Sequence, residues 1–126
     1  MNLGCLLLVS TLVTAGALPR LALADESQQV KTYRAQCDKG EGLACAVLGE
    51  RYEHGEGVTQ DFTQAAAFFR KACDGGYAEG CSNLGVAYEH GEGVKQSTPE
   101  ALNYYGKACG MKDEAGCEAY ARLKKR

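Results

Sequence analysis

Seven cysteines and two histidines are the residues of this chain best suited to chemistry. Cys5 stands alone near the start. The other six form three Cys-x7-Cys pairs at Cys37 and Cys45, Cys73 and Cys81, and Cys109 and Cys117. Such thiols can ligate zinc, exchange disulfides or make structural cross-links, and compartment and spacing decide among these. Structural zinc sites draw on closely spaced Cys knuckles, which Cys-x7-Cys is not. No Cys-x-x-Cys pair supports redox catalysis. No metal and no cofactor is expected.

The compartment is written in the first 24 residues. Leu6-Leu7-Leu8-Val9 opens an apolar run that ends in Ala22-Leu23-Ala24, a small-x-small pattern that suits a signal peptidase. Pro19 and Arg20 interrupt the run below the roughly 18–20 apolar residues that span a bilayer. The expectation is a signal peptide over 1–24, cleavage between Ala24 and Asp25, and a secreted or periplasmic chain without a membrane span. No Lys or Arg precedes the run, which departs from the usual leader. Removing Cys5 leaves six cysteines, the even count that an oxidising compartment requires. The length of 126 residues and the formal net charge of −2 fit one small domain. With acids and bases mixed along the chain, a nucleic-acid partner is not expected.

The elements that position these residues follow from an internal repeat of 36. Cys37, Cys73 and Cys109 share one phase, and Cys45, Cys81 and Cys117 another. Tyr52-Glu53-His54-Gly55-Glu56-Gly57-Val58 recurs unchanged as Tyr88 to Val94, and Leu48-Gly49 recurs as Leu84-Gly85. Cut at Asp25, the units are 25–60, 61–96 and 97–126. Each then opens on a capping pattern, Asp25 with Gln28, Asp61 with Gln64, and Ser97 with Glu100. Pro99 falls in a first turn, where its missing N–H costs nothing. First helices are expected over about 26–39, 62–74 and 98–109, and second helices over about 43–54, 79–90 and 114–124. Gly55 and Gly91 suit left-handed C-caps. No strand pattern is present.

The fold class is therefore all-α, an α/α solenoid of three helical hairpins. Ala121 and Lys124 replace the repeat glycine and tyrosine in the last unit, as expected of a terminal hairpin that faces water. The first helix is polar too, and three hairpins are expected to be the whole domain, 25–126.

The pattern Cys45-Ala46-Val47-Leu48-Gly49 through Val58, then Ala65 to Lys71-Ala72, recurs from Cys81 to Ala108. It resembles the Sel1-like repeats, relatives of the tetratricopeptide repeats. With a Cys-x7-Cys pair in every unit it is similar to the Helicobacter cysteine-rich (Hcp) proteins, exported repeat proteins with one disulfide per repeat. Six cysteines allow 15 pairings. The repeat favours the local one, Cys37–Cys45, Cys73–Cys81 and Cys109–Cys117, in which a seven-residue loop reverses the chain between antiparallel helices.

The resemblance also carries a label, β-lactamase, with penicillin binding attributed to some members. The chain has no Ser-x-x-Lys and no Lys-Thr-Gly to support it: Val30 stands three residues after Ser27, and Tyr33 follows Lys31-Thr32. A metallo-enzyme needs a histidine cluster. His54 and His90 occupy equivalent places in stacked units, about 8–10 Å or more apart. Each is expected to meet the carbonyl end of its own helix. Phe68, Phe69, Tyr104 and Tyr105 read as packing between helices. The functional expectation is a protein- or peptide-binding adaptor or secreted effector with a concave groove, for which Tyr52, Tyr88, His54 and His90 are candidate lining residues. The alternative is a β-lactamase or penicillin-binding protein that takes a cell-wall or β-lactam-like small molecule, with catalytic residues unidentified.

Overall fold

The computed structural model describes residues 28–126. The expected leader, Cys5, the cap at Asp25 and Ser27 lie outside the described residues. Six helices follow one another: α1 (28–38), α2 (Gly42–His54), α3 (Phe62–Asp74), α4 (Ala78–His90), α5 (Thr98–Gly110) and α6 (Glu114–Lys124). No strand occurs among the described residues. The helix spans expected from the repeat are met to within about two residues at every boundary within the described residues; the start expected near 26 lies outside them.

Local chemistry explains the boundaries. The Asp61 carboxylate accepts from the N–H groups of Thr63 and Gln64 at 3.0 and 3.1 Å, and the Ser97 hydroxyl accepts from that of Glu100 at 3.3 Å. The return bonds of a capping box do not form. Instead the backbone N–H of Asp61 donates to the Tyr52 carbonyl at 2.8 Å, and that of Ser97 to the Tyr88 carbonyl at 2.9 Å. The preceding helix therefore does what a third-position Gln or Glu side chain does elsewhere. Asp113 caps α6 through the N–H of Gly116 at 2.8 Å, a cap that the 36-residue phase did not suggest. Gly55 and Gly91 take left-handed φ of 69° and 72° and end α2 and α4 as expected.

Packing is sequential. Each of α3 to α5 lies mainly against the helices before and after it in the chain, and α4 also touches α2 and α6 more sparsely. The fully buried side chains Leu48, Leu84 and Tyr105 run along the array, so the core is a ribbon and not a sphere. Two helix crossings are closed by glycine. A Cβ at Gly49 would meet Phe69 Cδ1 at 2.5 Å, and one at Gly85 would meet Tyr105 Cδ1 at 2.6 Å. In the last unit Ala121 stands at that position and is exposed, so nothing there demands the smaller residue.

Candidate functional site

The chemistry of the thiols is spent on structure. Cys37–Cys45, Cys73–Cys81 and Cys109–Cys117 are disulfides, with Cα atoms 4.7, 4.5 and 4.4 Å apart. Each joins the end of one helix to the first turn of the next across a seven-residue loop. Every cysteine among the described residues is paired, so none offers a thiolate. Nor do the described residues hold a group of three His, Cys, Asp or Glu side chains placed to bind a metal.

The two histidines are not brought together. Both side chains are more than half exposed at the ends of α2 and α4. His54 meets the expectation: its Nδ1 lies 2.9 Å from the Glu50 carbonyl, one turn back, to which it donates. That bond raises its pKa above the usual histidine value, and the carboxylates of Glu53, Glu56 and Glu50 push the same way. His90 differs. Its Nε2 faces the Glu89 carboxylate at 3.9 Å, and among the described residues no helix carbonyl receives its ring. Glu89 itself is held by other partners.

Those partners form a polar lattice that the repeat did not announce. Tyr105, 1% exposed, donates its hydroxyl to Glu89 Oε1 at 2.9 Å. Both terminal nitrogens of Arg122 donate to the same carboxylate at 2.8 Å. A forked Arg–carboxylate pair with a tyrosine as third donor is a strong, directional arrangement. It holds the Glu89 carboxyl well down, to about 2, chiefly through the Arg122 bonds. Burial, and the Glu89 anion beside it, push the Tyr105 phenol well above its ordinary value.

Tyr52 and Tyr88 are half-buried, and each belongs to a repeated cluster of rings and cations. In the first cell Tyr52 of α2 stacks on Phe68 of α3, with ring centroids 5.4 Å apart. The Arg34 guanidinium of α1 and the Lys71 ammonium of α3 lie 5.6 and 5.4 Å from the Phe68 centroid. Arg34 also donates to the Tyr52 hydroxyl at 2.8 Å. The second cell is built the same way 36 residues on. Tyr88 stacks on Tyr104 at 5.7 Å, with Arg70 5.6 Å and Lys107 5.3 Å from the Tyr104 centroid. Arg70 donates to both hydroxyls, at 2.7 Å to Tyr88. His54 and His90 contribute to neither cell.

The cations were missed in the sequence. The signal was available in the 36-residue spacing of Arg34 to Arg70 and of Lys71 to Lys107, but only the rings and histidines were weighed as a surface. As chemistry, the cells offer positive charge oriented over largely buried rings. The two serines outside the N-terminal segment are otherwise engaged: Ser97 caps α5, and Ser82 donates to the Glu79 carbonyl at 3.1 Å. Neither serine is hydrogen-bonded to a side-chain base among the described residues.

The Sel1 repeat family model matches residues 42–77 and 78–113. That frame starts the unit at the disulfide loop, so it groups α2 with α3 and α4 with α5, where the capping phase groups α1 with α2 and α3 with α4. Among solved structures, cysteine-rich protein B of Helicobacter pylori is 31% identical with a TM-score of 0.69. The match covers 71% of this chain and 67% of that one. A Sel1 repeat protein from Oxalobacter formigenes is 31% identical with a TM-score of 0.69 over 72% of this chain. A protective antigen of uropathogenic Escherichia coli strains that displays an SLR fold is 37% identical with a TM-score of 0.64 over 67% of it. The chain spans only 26% and 18% of the last two proteins. No curated protein sequence matches the chain. The repeat, the stapled hairpins and these similarities together make the chain a Sel1 repeat protein of the cysteine-rich type found in Helicobacter.

Proposed function

We propose that the chain is an exported protein-binding module, an adaptor or secreted effector that recognises a peptide or protein through the exposed arcs of α1, α3 and α5. The observation that carries this reading is the pair of ring-and-cation cells, repeated at the same place in successive repeats. Stacked helical repeats present such surfaces to extended partners, and Sel1 repeats are in general protein-interaction modules. Tyr52 and Tyr88 enter as ring members, while His54 and His90, exposed at the ends of α2 and α4, stand outside the cells. Export is supported by the three disulfides, which persist in oxidising compartments. The signal-like stretch over 1–24 points the same way. No helix among the described residues is long and apolar enough to cross a membrane. Nothing among the described residues supports β-lactam hydrolysis: Ser82 and Ser97 are hydrogen-bonded to backbone groups.

The test uses the oxidised chain made with its leader. Cell fractionation should find it outside the cytoplasm, and immobilised chain should retain a partner protein that crosslinks to α1, α3 or α5. Nitrocefin should remain intact. Hydrolysis above the buffer rate that disappears on reduction of the disulfides, with no partner retained, would overturn the proposal.

A further inference from the structure

Charge is sorted between the two layers of the solenoid. The helices α1, α3 and α5 carry Lys31, Arg34, Arg70, Lys71 and Lys107 against Asp38, Asp74 and Glu100, with Lys71 and Lys107 in the last turns of α3 and α5. The acids collect on the other layer. Burial and the neighbouring carboxylates of Glu79, Glu53 and Glu56 raise the Glu50 carboxyl above its ordinary value, which reports how close these acids lie.

The cations of the two cells are oriented and make no close ion pair among the described residues, although Asp38 and Asp74 line the same hollow as Lys71. Among the described residues the ion pairs are those of His54, His90 and Arg122, so no carboxylate lies within 4 Å of Arg34, Arg70, Lys71 or Lys107. Their described partners are phenol hydroxyls and ring faces, which fix a guanidinium without cancelling its charge. Each Arg70 terminal nitrogen uses one N–H on a tyrosine and keeps a second to donate. Preorganised cations with spare donors are complementary to carboxylates.

From this juxtaposition we infer that the α1–α3–α5 face binds an extended acidic segment of a partner protein. One set of its carboxylates meets Arg34 and Lys71, and a second set meets Arg70 and Lys107. The inference rests on the protein-binding reading and names the chemistry of the partner. The two cells meet on α3, which carries Lys71 of the first and Arg70 of the second at adjacent positions, so one extended segment that crosses α3 can reach both. The net charge of −2 for the whole chain disfavours a long polyanion and suits a short acidic stretch.

Fluorescence anisotropy on the oxidised chain tests this with a labelled peptide of about twelve residues that carries Glu at every third position between Ala and Leu. A peptide with Lys at those positions is the control. The acidic peptide should bind and weaken as salt rises, and the basic one should not. The double substitution Lys71→Ala/Lys107→Ala should weaken binding about tenfold. Lys71→Arg/Lys107→Arg should restore it. Both lysines are exposed, and an unchanged circular dichroism spectrum with intact disulfides excludes unfolding.

Equal binding of both peptides, no binding up to about 1 mM, or no response to the double alanine change would overturn the inference. So would finding that the same lysines instead serve anionic vesicles, or a salt-sensitive dimer of this chain. A captured protein whose retention ignores these substitutions refutes the acidic-segment inference and leaves the protein-binding reading standing. The absence of any retained partner defeats the protein-binding reading itself.

Discussion

Where α2 meets α3, Phe69 covers Gly49 with carbon alone. Where α4 meets α5, Tyr105 covers Gly85 with the same ring plus a hydroxyl. The two crossings share their backbone geometry, the close approach at glycine and the stacked pair beside it. They differ in what the hydroxyl reaches: Glu89, and through it Arg122 on α6. The first crossing has Glu53 and Val86 at the corresponding places, and its ring carries no hydroxyl to pair. Repetition thus supplies the packing at both crossings. The polar lattice is a local addition that ties the last hairpin to its neighbour.

Ring deletion should break this comparison most visibly. Tyr105→Ala removes a fully buried ring and one of the donors to Glu89, and should cost about 4 kcal/mol, against about 3 kcal/mol for Phe69→Ala. Urea denaturation followed by circular dichroism measures both, and a larger loss for Phe69→Ala would invert the ranking. The next effect comes from the staple shared by the two crossings. Replacing Cys73 and Cys81 together by Ser should cost about 2–3 kcal/mol, because the nine-residue loop regains its freedom in the unfolded chain. Cys73 and Cys81 are buried, whereas Cys109 and Cys117 are half-buried. Under graded reductant, alkylation and mass spectrometry should therefore find Cys109–Cys117 opened first.

Acidity should separate the crossings by a smaller margin. The folded state holds the Glu89 carboxyl at about 2, below its ordinary 4.5. Its contribution is thus present above about pH 4.5 and lost as pH falls toward 2. With Arg122 half-exposed and screened, that loss amounts to roughly 1–3 kcal/mol. The Tyr105 phenol is shifted upward, so its contribution is present below pH 10 and is lost as alkali ionises the unfolded chain first. Hydrogen exchange should show α5 and α6 loosening at both extremes before α2 and α3, and uniform loosening would contradict the lattice. The smallest effect is a transplant. Phe69→Tyr alone should change stability by less than about 0.5 kcal/mol. Adding Val86→Arg, at the repeat position of Arg122, should gain about 0.5–1 kcal/mol over the sum of the single changes in a double-mutant cycle.

Much of the fold was legible because its determinants are close in sequence. Asp61 and Ser97 cap helices through N–H groups two or three residues away, and Gly55 and Gly91 end helices through their own φ. Each disulfide spans eight positions. The candidate surface was only half legible. Tyr52 and Tyr88 were singled out, but their cations come from helices 18 residues upstream, as Arg34 and Arg70. The lattice at Glu89 was not legible, because it depends on Arg122, 33 positions further on.

The amino-acid order by itself settled the number, phase and length of the helices and favoured the local pairing of the six cysteines. Hydrogen bonds across a few residues, and a loop too short to wander, leave little else to choose. Only the tertiary structure decided which hydroxyl finds a carboxylate, which cations gather over which rings, and which glycine admits a neighbour's side chain. Those outcomes depend on how one helix crosses the next. The crossing is a balance of many weak contacts summed over the whole interface, and no short stretch of sequence contains it.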